Sequence, residues 1–91
     1  MRELIHDREN QRYVLPLEDG FEAVVNYTIE NGIMRLVYSS VPPQLRGRKI
    51  GRTLVEKTFE KLTEEGYKAE AICSYIRTVA KRSNKWKNII H

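Results

Sequence analysis

Asn31-Gly32 stands between two β-rich runs, and that dipeptide constrains the architecture more than any other feature of the chain. Both residue types accept the positive φ that a tight two-residue turn demands, so the runs on either side fold back as an antiparallel hairpin. The first run carries Phe21, Ala23, Val24, Val25, Tyr27 and Ile29. The second spans Ile33 to Ser40, with Met34, Leu36 and Tyr38 alternating against Arg35, Val37 and Ser39. Two shorter extended segments, residues 4–6 and 11–15, precede the hairpin, and turn signals at Asp7-Arg8-Glu9-Asn10 and Glu18-Asp19-Gly20 separate them from it. The opening forty residues therefore read as an antiparallel meander.

Val41-Pro42-Pro43 ends the last of these strands, because consecutive prolines cannot donate to a ladder. Beyond an Arg- and Gly-rich loop, Ile50, Leu54, Val55, Phe59 and Leu62 recur at helical spacing, and Gly66 stands where a left-handed C-terminal cap belongs. Residues 67–73 then read as a short buried strand, with a second helix from about Ser74 or Tyr75 to Arg82 and an irregular tail over residues 83–91. A strand leading through a helix into another strand is a βαβ crossover, so the last two strands are expected to be parallel. The expected fold class is α+β: a mixed, mostly antiparallel sheet in the order ββββ-α-β-α, in one domain over residues 1–91. At 91 residues there is no room for a second core.

Charge is unevenly spread. Residues 1–41 hold four Lys/Arg and seven Asp/Glu, whereas residues 42–91 hold twelve Lys/Arg and five Asp/Glu, so a chain of net charge +4 divides into halves of −3 and +7. A basic half on a mildly acidic one suggests an anionic ligand bound on one side. The single cysteine, Cys73, excludes an internal disulfide, and there is neither a leader-like apolar segment nor a run long enough to span a membrane, so a cytoplasmic protein with no membrane partner is expected. No His or Cys spacing suits a metal, and His6 and His91 are expected at the surface.

The strand–loop–helix junction concentrates the cations. Gly47 and Gly51 give access to the amide groups at a helix N-terminus, while Arg46, Arg48, Lys49 and Arg52 add positive side chains, an arrangement suited to a pyrophosphate. It matches neither the P-loop nor the dinucleotide fingerprint. A basic turn whose glycine serves helix packing is the alternative.

Gln44-x-x-Gly47 after a strand, followed by Ile50-Gly51 and Leu54, resembles the acetyl-CoA pyrophosphate loop of GNAT-type N-acetyltransferases. Val41-Pro42, Arg46-Gly47, Cys73-Ser74-Tyr75 and Ser83-Asn84-Lys85-Trp86, in that order, are similar to a subgroup of very small single-domain members of that superfamily. The resemblance implies a GNAT-like fold, acetyl-CoA (CoA) as co-substrate without a metal, and transfer of an acetyl group to an amine of a small molecule or protein. It implies that Val41, Arg46, Gly47, Arg48, Lys49, Ile50, Gly51 and Arg52 bind the cofactor, with a backbone N–H near Val41 facing the thioester carbonyl. Lys49 replaces the second glycine of the superfamily pattern, and its side chain either obstructs the pyrophosphate or pairs with a phosphate oxygen.

The resemblance also places Cys73 beside the acyl group, as an acyl acceptor or a local contact; the plain alternative is a buried small apolar residue. Tyr38, which stands where the subgroup often has a histidine, and Tyr75 are candidate proton donors to the departing thiolate. The plain alternatives are a core-facing strand aromatic for Tyr38 and a packing residue of the last helix for Tyr75. Trp86 reads as an apolar clamp for the tail. The competing functions are a module that binds acyl-CoA without efficient transfer and, less favoured, a basic nucleic-acid-binding domain, which lacks an aromatic-rich sheet motif or a helix-turn-helix. An uncovered strand edge leaves room for a homodimer.

Overall fold

The hairpin forms at Asn31 and Gly32, whose φ angles of 52° and 79° are the two positive values that the tight turn requires. In the computed structural model, which describes residues 3–45 and 47–91, this turn joins β3 (Glu22–Glu30) to β4 (Ile33–Ser40). The earlier strands are β1 (Ile5–Asp7) and β2 (Arg12–Pro16), followed by a short 3-10 turn at Glu18–Gly20. After β4 come a second 3-10 turn (Pro43–Leu45), helix α1 (Ile50–Glu64), strand β5 (Lys68–Ala71) and helix α2 (Ser74–Arg82). The five strands lie in the order β1-β2-β3-β4-β5, antiparallel except for the parallel β4–β5 pair. The α+β class, the mixed sheet and the crossover are as the sequence implies. Strand β5 is shorter than the segment 67–73 read from the sequence, because the chain turns at Cys73 into α2.

Register decides which side chains meet. His6, Tyr13, Val25 and Ser39 are successive cross-strand partners and so share a face of the sheet, on which Tyr13 and Val25 are fully buried. Leu54, Val55, Phe59 and Leu62 of α1 meet that core as the helical spacing predicts, joined by Thr58, whose hydroxyl is satisfied by the Leu54 carbonyl at 2.8 Å. Ile50 is only half-buried at the margin. Helix α2 adds Ile76, Val79 and Ala80, and Trp86 is buried with its ring 5.5 Å from that of Phe59, so the tail is clamped. No described helix is long and apolar enough to cross a membrane.

One sequence expectation fails, and one alternative reading is removed. His6 is not at the surface: its side chain is 4% exposed. The ring stacks on Tyr13 at 4.2 Å, Nδ1 donates to Glu65 Oε2 at 2.9 Å, and Nε2 lies 2.6 Å from the Tyr27 hydroxyl. With Nδ1 donating to the carboxylate, the neutral ring accepts from Tyr27 through Nε2. Tyr13 donates to Glu65 Oε1 at 2.8 Å and Arg8 reaches Oε2 at 3.3 Å, so one carboxylate beyond the C-terminal end of α1 gathers the first two strands and the turn between them, and reaches Tyr27 of β3 through His6. A carboxylate fifty-nine positions away supplies a partner that local pattern cannot announce.

Tyr38 is not core-facing. Beyond Leu36, which pairs with Tyr27, Val37 is an extra residue, and pairing resumes with Tyr38 opposite Asn26. This β-bulge shifts the alternation by one, so Tyr38 joins Asn26 on the face opposite Val25 and is 52% exposed.

Burial pushes the Glu65 carboxyl up, but the hydrogen bonds from His6 and Tyr13 and the Arg8 charge outweigh it and hold the group below its ordinary range. A depressed folded-state pKa contributes stability above the unfolded carboxylate range, and that stability is lost as pH falls through the folded value. Glu65→Gln should therefore lower stability at pH 7 by about 1–3 kcal/mol, a drop of about 4 °C or more in Tm. The gap between variant and wild type should narrow below about pH 4.5. Thermal melts across pH 3–7 check this; equal Tm values at pH 7 would remove the stabilising role.

Candidate active site

The site begins where β4 and β5 part. Their parallel ladder runs only from Ile33↔Lys68 to Leu36↔Ala71. The Leu36 carbonyl then accepts from both Ile72 and Cys73 N–H groups, each at 3.0 Å, and pairing with β5 stops there. Strand β4 continues to Ser40 held by β3 alone, while the other chain turns into α2. A wedge opens between them.

That wedge continues into a cavity of about 520 Å³. Tyr38, Ser39, Ser40 and Val41 form one side and Leu45, Gly47, Lys49 and Ile50 the loop side; Gly51, Leu54 and Tyr75 complete the lining. The sequence had singled out Tyr38, Val41, Gly47, Lys49, Ile50, Gly51 and Tyr75, and the fold brings these together. Leu54 belongs to the motif that carries the resemblance, whereas Ser39, Ser40 and Leu45 are not among the candidate site residues. The serines carry no local signal, since they face this space only because the bulge and the parted strands put them there.

Helix α1 starts without a conventional cap. Lys49 occupies the N-cap position in the left-handed region at φ 60°, makes no side-chain cap bond, and no acidic residue lies in the first turn. A helix start of this kind can receive an anion at the cavity mouth. Gly47, at φ +87°, has open space where a Cβ would stand, so glycine is required there by backbone conformation rather than by crowding. Gly51 lies close to α2: a Cβ there would come 3.1 Å from the Tyr75 hydroxyl, and the exposed Tyr75 ring would have to give by a few tenths of an ångström. Of the other loop cations, Arg48 pairs with Glu18 at 3.3 Å and Arg52 with Glu56 at 3.2 Å. Neither lines the main cavity, but Arg52 lines a smaller groove of about 130 Å³ with Tyr75, Thr78, Val79 and Arg82. Arg46 lies outside the described residues. Among the described residues, no group of three His, Cys, Asp or Glu side chains comes together to hold a metal.

Cys73 is half-buried at the apex of the wedge, behind Ser39 rather than on the cavity wall. Its Sγ lies 3.7 Å from Ser39 Oγ. Burial alone would raise the thiol, but the Ile76 amide, the Ser39 hydroxyl and the Tyr75 and Ser39 amides all favour the thiolate and bring the group below its ordinary range. Position at the N-cap of α2 supplies two of those donors directly. His91, by contrast, is exposed and belongs to a different hollow beside α2.

A family model described as GCN5-related N-acetyl-transferase matches residues 12–89 of the chain. No curated protein matches it significantly.

The geometry makes the Ser39 hydroxyl one of the groups that stabilise the thiolate. Alkylation of Cys73 by iodoacetamide should accelerate through an inflection below the ordinary thiol range, and Ser39→Ala should move that inflection to higher pH and slow alkylation at pH 7. An unmoved inflection would mean that the Ser39 hydroxyl does not bond the sulfur in solution.

Proposed function

The chain belongs to the GCN5-related N-acetyltransferase family, and from that premise we propose that it transfers the acetyl group of acetyl-CoA to an amine. The observation that carries this reading is one cavity that runs from the uncapped N-terminus of α1 to Tyr38, Ser39 and Ser40 on the part of β4 that has left β5, with Tyr75 of α2 on its wall. A pyrophosphate at the loop would meet Gly47, the first amides of α1 at Ile50 and Gly51, and the Lys49 side chain on the cavity wall. Arg48 and Arg52, each shared with one carboxylate, add to the positive field around it. Open space beside Gly47 and the absence of a side-chain cap fit such a ligand.

Acetyl-CoA is the acetyl donor and so a substrate. Its acyl arm would run along β4 towards Ser39 and Cys73, with a Val41 backbone N–H as oxyanion donor. In the covalent route the Cys73 thiolate attacks the acetyl carbon, a new S–C bond forms, and the bond to the CoA sulfur breaks with its electron pair. Tyr38 or Tyr75, both on the cavity wall, returns a proton to that sulfur. The acceptor amine then attacks the acetylated cysteine: the C–N bond forms, the C–S bond breaks to regenerate the Cys73 thiolate, and the proton lost from nitrogen returns to the tyrosine. In the direct route the amine attacks the bound thioester itself, and Cys73 only shapes the apex. Binding without transfer is favoured by one observation: the Lys49 ammonium lines the cavity where a flexible loop glycine would leave room.

Calorimetric titration with acetyl-CoA and with CoA should show saturable one-to-one binding, weakened at least tenfold by Gly47→Asp, which adds bulk, backbone strain and negative charge at the loop. Failure of the wild type to bind either ligand at millimolar concentration would overturn the reading. Transfer to an amine separates an enzyme from a binding module, and wild-type transfer by Cys73→Ala would select the direct route.

A further inference from the structure

An amine can attack a thioester only through an unshared electron pair, so an alkylammonium must lose a proton before it reacts. The residues around the cavity are poorly suited to taking that proton. Its described lining contains neither a carboxylate nor an imidazole; the ionisable groups on it are Tyr38, Tyr75 and Lys49. Carboxylates close by are already engaged: Glu18 by Arg48 and Glu56 by Arg52. On the strands that part, Arg35 pairs with both Glu30 at 2.9 Å and Glu70 at 3.6 Å. His6 is held by Glu65 and Tyr27 among the first strands, and His91 lines the hollow beside α2. At the apex the anionic candidate is Cys73, and it lies behind Ser39 with its donors turned on the sulfur; once acetylated, its sulfur is no longer basic.

The local field points the same way. Lys49 and Arg52 face the pyrophosphate in the reading above, but Arg82 stands beside the adjoining groove, and from Ala71 to His91 there are five Lys/Arg and no Asp or Glu. A positive surround repels an ammonium and favours the neutral amine over it. Ser39, Ser40 and Tyr38 offer hydroxyls that can both accept from and donate to an uncharged amine.

We propose that the acceptor is a weakly basic amine already uncharged in substantial part near neutral pH, in the class of peptide α-amino groups and arylamines, rather than a lysine-type alkylamine. This rests on the acetyltransferase reading above. The reaction balances without an enzyme base: the neutral amine forms the C–N bond, the C–S bond breaks, and the proton lost from nitrogen ends on the released CoA sulfur, directly or through a tyrosine. At pH 7 an α-amine of pKa about 8 is roughly one-tenth neutral, whereas a lysine amine of pKa about 10.4 is neutral to only about one part in 2,500.

The test uses one short peptide carrying a free N-terminus and a single internal lysine, with acetyl-CoA, wild-type protein and an enzyme-free control, and mass spectrometry to assign each acetyl group. The α-amine should be acetylated at least tenfold faster than the ε-amine at pH 7. Between pH 7 and 9 the ε-rate should rise about tenfold per pH unit, while the α-rate levels off near pH 8, each following its own amine. Equal rates at pH 7, or one inflection shared by both amines, would reveal an enzyme base and overturn the proposal. Glu22→Gln tests the exposed carboxylate at the start of β3, which enters no ion pair with the described residues: the proposal expects both profiles unchanged, and loss of a shared inflection would name Glu22 as that base. A wild-type protein that fails to bind CoA by calorimetry would instead remove the acetyltransferase reading itself.

Discussion

Everything at the candidate site follows from the parting of β4 and β5 at Leu36. Parallel strands pair by evenly spaced bonds, and here that ladder stops after four residue pairs with one carbonyl accepting from two successive amides. Because β4 runs on for four more residues beside β3 alone, its far end presents Ser39 and Ser40 to a space that a continuous sheet would have filled. The bulge at Val37 lies at the same level, so the face on which Tyr38 projects and the opening of the wedge change together. Helix α1 then begins at the mouth of that space and Cys73 lies at its apex.

At the other end of α1, a different constraint holds the frame. Glu65 receives His6, Arg8 and Tyr13, and its charge is compensated by donors from the first two strands. Burial and the Glu65 carboxylate push the Tyr13 phenol well above its ordinary range, which keeps it a hydrogen-bond donor at any ordinary pH. A fifteen-residue helix is thus tied to the sheet at its C-terminal end by a polar cluster, while its N-terminal end is left without a side-chain cap. The polar network supplies position and the uncapped end supplies the site, an allocation in which local irregularity concentrates at function.

Much of the architecture is legible from sequence because its signals are local. Asn31-Gly32, Val41-Pro42-Pro43 and the apolar stripe of α1 each act over a few residues, and the crossover rule orients β5 once the helix is known. The loop residues Gly47, Lys49, Ile50 and Gly51 were legible for the same reason. Ser39, Ser40, Thr78 and Arg82 were not, since they become neighbours of that loop only through the register of β4 and the placement of α2. The burial of His6 is not legible because an isolated histidine near the start of a chain is ordinarily exposed, and the core-facing alternative for Tyr38 rests on a strict alternation that takes no account of an inserted residue.

The sequence by itself determined the order of elements, the hairpin, the helix with its basic glycine-containing approach, and the divided charge. These depend on backbone preferences and on periodicity, which are properties of neighbouring residues. The tertiary structure alone decided where β4 leaves β5, which way Tyr38 faces, how four donors gather on Cys73, and that His6 finds Glu65. Those outcomes depend on pairings between residues far apart in the chain, whose geometry exists only once the sheet has closed around its core.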